Sequence, residues 1–288
     1  MEEMLSKAKL HENPLVTNKK LKQLYVAMVE ARALDELASR LQTKAKKRRI
    51  KSTQGEEACR VSTAIELVSG DLVSDTQDGV VMERIAGESA GSVLRLLNAI
   101  ISNAKKLAAR SASRSEEARQ LPWVEDAGDR LRIAMGAALS FKVLGRSNIV
   151  VAYVHNAELP DVVWRRLMGL SAKFELPIIF VALPEAHNRN GRSLSAKAQA
   201  CGVPGFPVDA GDAVALYRVA QESIARTRGD GGPVVIECLT HPLAGRRKND
   251  VDDPIAQMRS FMLVRKIAGK AWLDAAGRGF CRRIEAKR

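Results

Sequence analysis

The stretch IVVAYVHNAELPDVVWRRLMGLSAKFELPIIFVAL (149–183) decides the fold. It opens and closes on short, nearly unbroken apolar runs, NIVVAYV (148–154) and PIIFVAL (177–183), rich in Val and Ile. Between them, from Asp161 to Glu175, Val163, Leu167, Leu170 and Phe174 recur at helical spacing, with Asp161 available as a cap. A third run, PVVIECL (233–239), follows a second helical stretch, GDAVALYRVAQESIARTR (211–228), for which Asp212 is the expected cap. Apolar runs of this kind suit parallel strands buried on both faces. Alternation of strand and helix predicts an α/β fold, an open, mostly parallel sheet with helices on both faces. Ligands in such sheets bind beyond the carboxyl ends of the strands. The turn VHN (154–156) therefore lies where a site is expected.

Toward the N-terminus the periodicity is helical. Residues 1–16 read as a polar arm, and 17–288 as one domain that begins with a helical segment. From Thr17 to Leu41, Leu21, Leu24, Tyr25, Met28, Ala31, Leu34, Leu37, Ala38 and Leu41 recur at three and four, with Thr17 or Asn18 as cap. TQGEEACRVSTAIELVSGD (53–71) predicts a second helix stopped by Gly70, and 92–109 a third. RSASRSEEARQ (110–120) reads as a surface loop. Residues 129–143 form a helix in which Gly136, Ala137 and Ala138 are expected to let another backbone approach.

Composition narrows the function classes. Hydrophobic residues make up 46% of the 288, ordinary for a globular protein. No apolar run reaches the roughly 18 residues of a membrane span, and the first residues lack the pattern of a secretory leader, so a cytoplasmic protein is expected. The four cysteines, Cys59, Cys201, Cys238 and Cys281, have no metal-ligand spacing and read as inert thiols. The net charge of +13 is densest in KAKKRRIK (44–51). That segment has no aromatic residue for base stacking and matches no DNA-binding motif, which argues against nucleic acid and for a solvated basic loop or a loop facing an acidic partner.

Three of the four histidines fall in strand-end turns. The turns offer His155, Asn156, Glu158 and Asp161; then Glu185, His187, Asn188, Arg189, Asn190, Arg192 and Ser193; then His241, Arg246, Arg247, Lys248 and Asp250. No Gly-rich phosphate loop follows a strand: GDGGP (229–233) precedes one. No nucleophile elbow appears, and nothing in their spacing makes a triad of Ser193, His187 and Asp250. The residues by themselves define an α/β domain with polar strand-end loops and leave its chemistry open.

The order of segments, however, resembles the alpha subunit of the thiamine-diphosphate-dependent 2-oxo acid dehydrogenases of the pyruvate and branched-chain type. The likeness runs from about Leu21 to Leu273 and rests on LYVAMVEARALDE (24–36), QGEEA (54–58), SGDLV (69–73), KFELPIIFV (173–181), KAQACGVPGFPVDAGDAVALYRVAQES (197–223), GGPVVIECLTHPLAG (231–245) and DDPI (252–255). The resemblance implies the thiamine-diphosphate-binding fold. It further implies Mg²⁺ as metal, a separate beta subunit that supplies the glutamate activating the thiamine ring, and self-association into a heterotetramer. No catalytic residue is assigned to this chain. The family's Gly-Asp-Gly cofactor turn aligns with His155, Asn156 and Ala157. Asn156 and Glu185, with the carbonyl of His187, align with the metal ligands. Arg246 and Arg247 stand where the family has a His-containing loop, and 75–80 aligns with its Tyr-Arg-Asp-His segment without the Tyr, Arg or His.

Two readings follow from the resemblance. In one, the chain binds thiamine diphosphate through altered ligands and works with its beta subunit in oxidative decarboxylation. In the other, favoured by the lost turn glycines and by the missing Tyr, Arg and His of the family's segments, it is a pseudoenzyme that keeps the fold as a structural or regulatory subunit. A third keeps the site as an anion pocket lined by Arg192, Arg246, Arg247 and Lys248.

Overall fold

The computed structural model describes residues 16–45, 52–76, 80–85, 93, 120–184, 193–240 and 253–285. Five strands, β1 (Leu72–Ser74), β2 (Val150–His155), β3 (Ile178–Leu183), β4 (Gly205–Asp209) and β5 (Val234–Leu239), form one sheet in the order β1-β2-β3-β5-β4. Every pair is parallel. Val150 lies opposite Ile178 and His155 opposite Leu183, so β2 and β3 end side by side. β3 is buried throughout, and β2 is buried up to His155. Successive side chains of β2 serve opposite layers: Val151 and Tyr153 join one core, Val150, Ala152 and Val154 the other.

The expected strands at 148–154, 177–183 and 233–239 are β2, β3 and β5. The other two were not foreseen. β1 is only three residues long, and β4 carries Pro207, which an edge strand tolerates because its outward side needs no N–H donor. Neither has an apolar run of its own; both exist because a neighbouring strand offers a ladder.

Helix α1 (Asn18–Ala45) buries the predicted stripe from Leu21 to Ala38, and the Thr17 hydroxyl accepts the Lys20 N–H at 3.3 Å. It packs with α2 (Glu57–Ala64), α7 (Ala213–Arg228) and α8 (Pro254–Val264) over one face of the sheet. On the other face lie α4 (Ala127–Val143), α5 (Asp161–Lys173) and α6 (Leu194–Ala200). The remaining described helices are α3 (Val80–Ile85), α9 (Lys270–Ala275) and α10 (Arg278–Glu285). No described helix is long and apolar enough to cross a membrane.

Four expectations need correction. The helix predicted over 53–71 spans only Glu57–Ala64. Beyond it, the fully buried Asp71 carboxylate takes the Val68 and Ile149 N–H groups and two bonds from Arg228 of α7, which diverts the chain into β1. Gly70, at φ +87°, belongs to that turn and does not end the helix. Asp161 does not cap α5: Pro160 holds that position, and Asp161 pairs with Lys197 of α6 at 2.7 Å. The buried face of α5 is Trp164, Leu167, Met168 and Ser171, while Leu170 and Phe174 are exposed. In α4, Gly136 faces open space, and Ala134 and Ala138 make the close approach to the core. The arm before Val16, the basic run after Ala45, the helix at 92–109 apart from Val93, and the loop 110–120 apart from Gln120 lie outside the described residues.

Candidate functional site

The carboxyl end of β2 runs into a single 3-10 turn, Asn156–Glu158. His155 and Asn156 are half-buried there, and Ala157 is exposed. The turn is pinned from below. The Asn156 carbonyl accepts from Leu159 N at 3.4 Å and from the indole N–H of the buried Trp164 at 3.3 Å. Glu158 turns inward: its carboxylate accepts the His155 N–H at 3.4 Å and a guanidinium N–H of Arg130 at 2.7 Å. Arg130, on α4, is 3% exposed and also donates to the Val124 and Glu125 carbonyls.

Beside this turn, β1 is followed by Asp75 and Thr76, both buried. Between them and β2 sits the guanidinium of Arg60, from α2, which is 1% exposed. Its Nη1 donates to Asp75 at 2.5 Å, its Nε to Glu56 at 2.8 Å and its Nη2 to the Thr76 hydroxyl at 3.1 Å. It lies 5.3 Å from the centre of the Tyr153 ring, whose hydroxyl meets Thr63 at 2.7 Å. Burial works against the charge of Arg60, but Asp75 and Glu56 outweigh it and hold the guanidinium protonated far above its ordinary range. Burial pushes the Tyr153 hydroxyl up, so it stays a neutral hydrogen-bonding group. The other oxygen of Glu56 lies 3.5 Å from Nε2 of His155 and joins this cluster to the turn.

Behind the site, Cys59 and Cys238 stand together, both buried and free. A hydrogen bond with Cys238, then burial, pushes the Cys59 thiol well up, which suits the inert thiols expected. Glu237 of β5 is buried and accepts from Leu194 N, Ser195 N and the Ser195 hydroxyl, tying the sheet to α6. Ser193 is the cap of α6, with its hydroxyl on Ala196 N at 3.2 Å.

Of the residues expected at the site, His155, Asn156 and Ala157 lie together at the end of β2, beside Leu183 of β3. Glu185, His187, Arg246 and Arg247, with Arg192, Lys248 and Asp250, lie outside the described residues. Among the described residues, no group of three or more His, Cys, Asp or Glu side chains is placed to hold a metal ion. Arg60, Asp75 and Arg130 were not anticipated. Arg60 sits within the apolar stripe of Ala58, Val61 and Ala64, with Glu56 four residues before it. A lone cation in a buried stripe was the available signal, and the partner that makes it tolerable, Asp75, is visible only in three dimensions.

Comparison with known proteins gives a family model, described as the dehydrogenase E1 component, that matches residues 25–270. The chain is 25% identical to pyruvate dehydrogenase E1 component subunit alpha-3, chloroplastic, of Arabidopsis thaliana, over 91% of this chain and 68% of that one. It is 30% identical to the alpha subunit of acetoin:2,6-dichlorophenolindophenol oxidoreductase of Bacillus subtilis (strain 168), over 43% of this chain and 39% of that one. It is 27% identical to the alpha subunit of 3-methyl-2-oxobutanoate dehydrogenase of Mycobacterium tuberculosis, over 45% of this chain and 41% of that one. The match thus spans about two thirds of the first relative and about two fifths of the other two.

Proposed function

The chain belongs to the dehydrogenase E1 component family, and on that basis we propose that it is an alpha-type subunit that has kept the fold but not a working metal–diphosphate site. Its role is then structural or regulatory, in association with a beta-type chain of a 2-oxo acid dehydrogenase. The observation that carries this reading is the self-pairing of charge at the ends of β1 and β2. Mg²⁺ needs oxygen ligands, carboxylates among them, and a diphosphate needs unpaired cations or N–H donors. Here Glu158, the one carboxylate of the turn, is taken by Arg130 and by the His155 N–H. Glu56 and Asp75 are taken by Arg60. Three carboxylates thus stand against two guanidiniums at the ends of β1 and β2, an arrangement that does not favour an anionic cofactor. The side chains of His155 and Ala157 also occupy positions that glycines leave open to backbone approach. The described residues do not fit thiamine diphosphate with Mg²⁺, and no chemical step is assigned to this chain.

Partner association draws support from the outer faces of α4 and α5. Val143, Leu144, Val162 and Phe174 are exposed there, apolar surface of the kind that subunit contacts bury. The second reading, a rewired site that uses Asn156 with Glu185, rests on the register that brings β2 and β3 to an end side by side. Calorimetric titration of thiamine diphosphate, with and without Mg²⁺, into the protein alone and co-expressed with a beta-type chain, separates the two. The proposal expects association with the beta-type chain and no binding heat. Micromolar, Mg²⁺-dependent binding that Glu185→Ala abolishes establishes the rewired site instead.

A further inference from the structure

A buried guanidinium is a costly element for a core, and this one is supplied with unusual completeness. Arg60 reaches the carboxyl end of β1 through Asp75 and Thr76, the start of α2 through Glu56, and the side of β2 through the Tyr153 ring. Glu56 carries no capping bond to α2, so its carboxylate is committed to Arg60 on one side and faces His155 at 3.5 Å on the other. Two carboxylates and a hydroxyl thus converge on one point, with the imidazole of His155 behind Glu56, and the cation at that point is covalently part of the chain.

We infer that the Arg60 guanidinium occupies a cation site, built from Glu56, Asp75 and Thr76 with His155 at its edge, and so orders the ends of β1 and β2 with an internal charge in place of a bound metal ion. The inference deepens the reading of a silent cofactor site and rests on it in one respect: a site that carries its own cation has no use for another. Deleting the guanidinium leaves the buried Asp75 carboxylate and the partly buried Glu56 carboxylate without their counter-ion. Oxygen ligands of that kind, completed by water, suit a hard divalent ion such as Mn²⁺. A lysine at this position keeps the charge but loses the planar fork that bonds Asp75, Glu56 and Thr76 together.

The test is thermal unfolding of the full chain with Mn²⁺, with Mg²⁺ and thiamine diphosphate together, and with neither, for wild type, Arg60→Ala and Arg60→Lys. The wild type is expected to be indifferent to both additions. Arg60→Ala is expected to lose roughly 5–10 °C in Tm and to regain at least half of that in millimolar Mn²⁺. Arg60→Lys is expected to lose less than half as much and to ignore Mn²⁺. Adding Glu56→Gln to Arg60→Ala is expected to abolish the Mn²⁺ response. Equal losses in the Ala and Lys variants, or an Arg60→Ala protein blind to Mn²⁺, overturn the inference. Should Arg60→Ala not fold, Arg60→Lys decides: a folded protein near the wild-type Tm supports an internal cation, and an unfolded one refutes it. A wild type stabilised by Mn²⁺ alone also overturns the inference. A wild type stabilised only by Mg²⁺ with thiamine diphosphate overturns the proposed function and leaves the Ala–Lys comparison to judge Arg60.

Discussion

Arg130 and Arg132, two positions apart on α4, make ion pairs of nearly equal length and unequal consequence. The Arg130 side chain is 3% exposed and that of its partner Glu158 is 23% exposed, at 2.7 Å; the Arg132–Asp129 pair is 61% and 59% exposed, at 2.5 Å. Removing one partner of a buried pair strands a charge away from water, whereas an exposed pair exchanges its partner for solvent. Glu158→Gln is therefore expected to cost about 2–3 kcal/mol, below the range for a fully buried pair because Glu158 keeps some solvent. It is also expected to loosen the 155–158 turn, measured by urea unfolding and by amide exchange of His155. Asp129→Asn is expected to leave the urea midpoint unchanged. The same contrast explains why Arg60 escaped sequence reading: a cation within the apolar stripe of α2 has no evident role until Asp75 is found beside it.

For helices, the caps separate what local chemistry dictates from what packing overrides. Asp212 was the expected cap of α7, and its carboxylate accepts from Val214 N at 3.0 Å and Ala215 N at 2.9 Å. Asp212→Ala should destabilise the protein by about 1 kcal/mol. Asp161 looked equivalent in sequence. It lies one residue too far along, inside the first turn, because Pro160 with φ −61° and ψ 149° already sets the entry to the helix. Its bond from Lys197 lowers its pKa, but the group is exposed, and Asp161→Ala should leave the unfolding midpoint where it is. Equal losses in the two variants would show that the caps have been misassigned. Strands divide in the same way. β2, β3 and β5 follow from runs of Val and Ile that only a doubly covered sheet can bury, whereas β1 and β4 borrow their conformation from the strands beside them.

At the scale of the whole molecule, a titratable group ties the long N-terminal helix to the crossover helix α7. Glu66, beyond α2, bonds Lys20 of α1 at 2.7 Å and the Tyr217 hydroxyl of α7 at 2.6 Å. Burial pushes the Glu66 carboxyl up, and the hydrogen bonds from Lys20 and Tyr217 outweigh it, leaving the group below its ordinary value of 4.5. A carboxyl lowered in the folded state contributes stability that is fully present above its unfolded value and is lost as pH falls through the folded one. Lys20→Met should therefore be less stable than wild type at pH 7. The gap should close as pH falls below the folded value of Glu66, and it should narrow at pH 7 in high salt because the pair is partly exposed. Urea unfolding across that range measures it. A gap that persists at low pH would assign the effect to lost packing of the Lys20 stem.

The sequence alone determined the class of fold, the stripe of α1, the crossover helix α7 with its cap at Asp212, and the family order of motifs. These depend on contacts close in the chain or on apolar content that admits one environment. It also exposed the altered turn at His155, Asn156 and Ala157, because residue identity needs no structure. Tertiary structure alone decided where α2 ends, which face of α5 is buried, and how the charges at the strand ends are matched. The clamp on Asp71 joins β2 and α7 to the turn before β1. The Arg60 cluster joins Glu56 to Asp75. Such long-range pairings leave no periodicity to read, and their energy comes from burial, which only the folded chain defines.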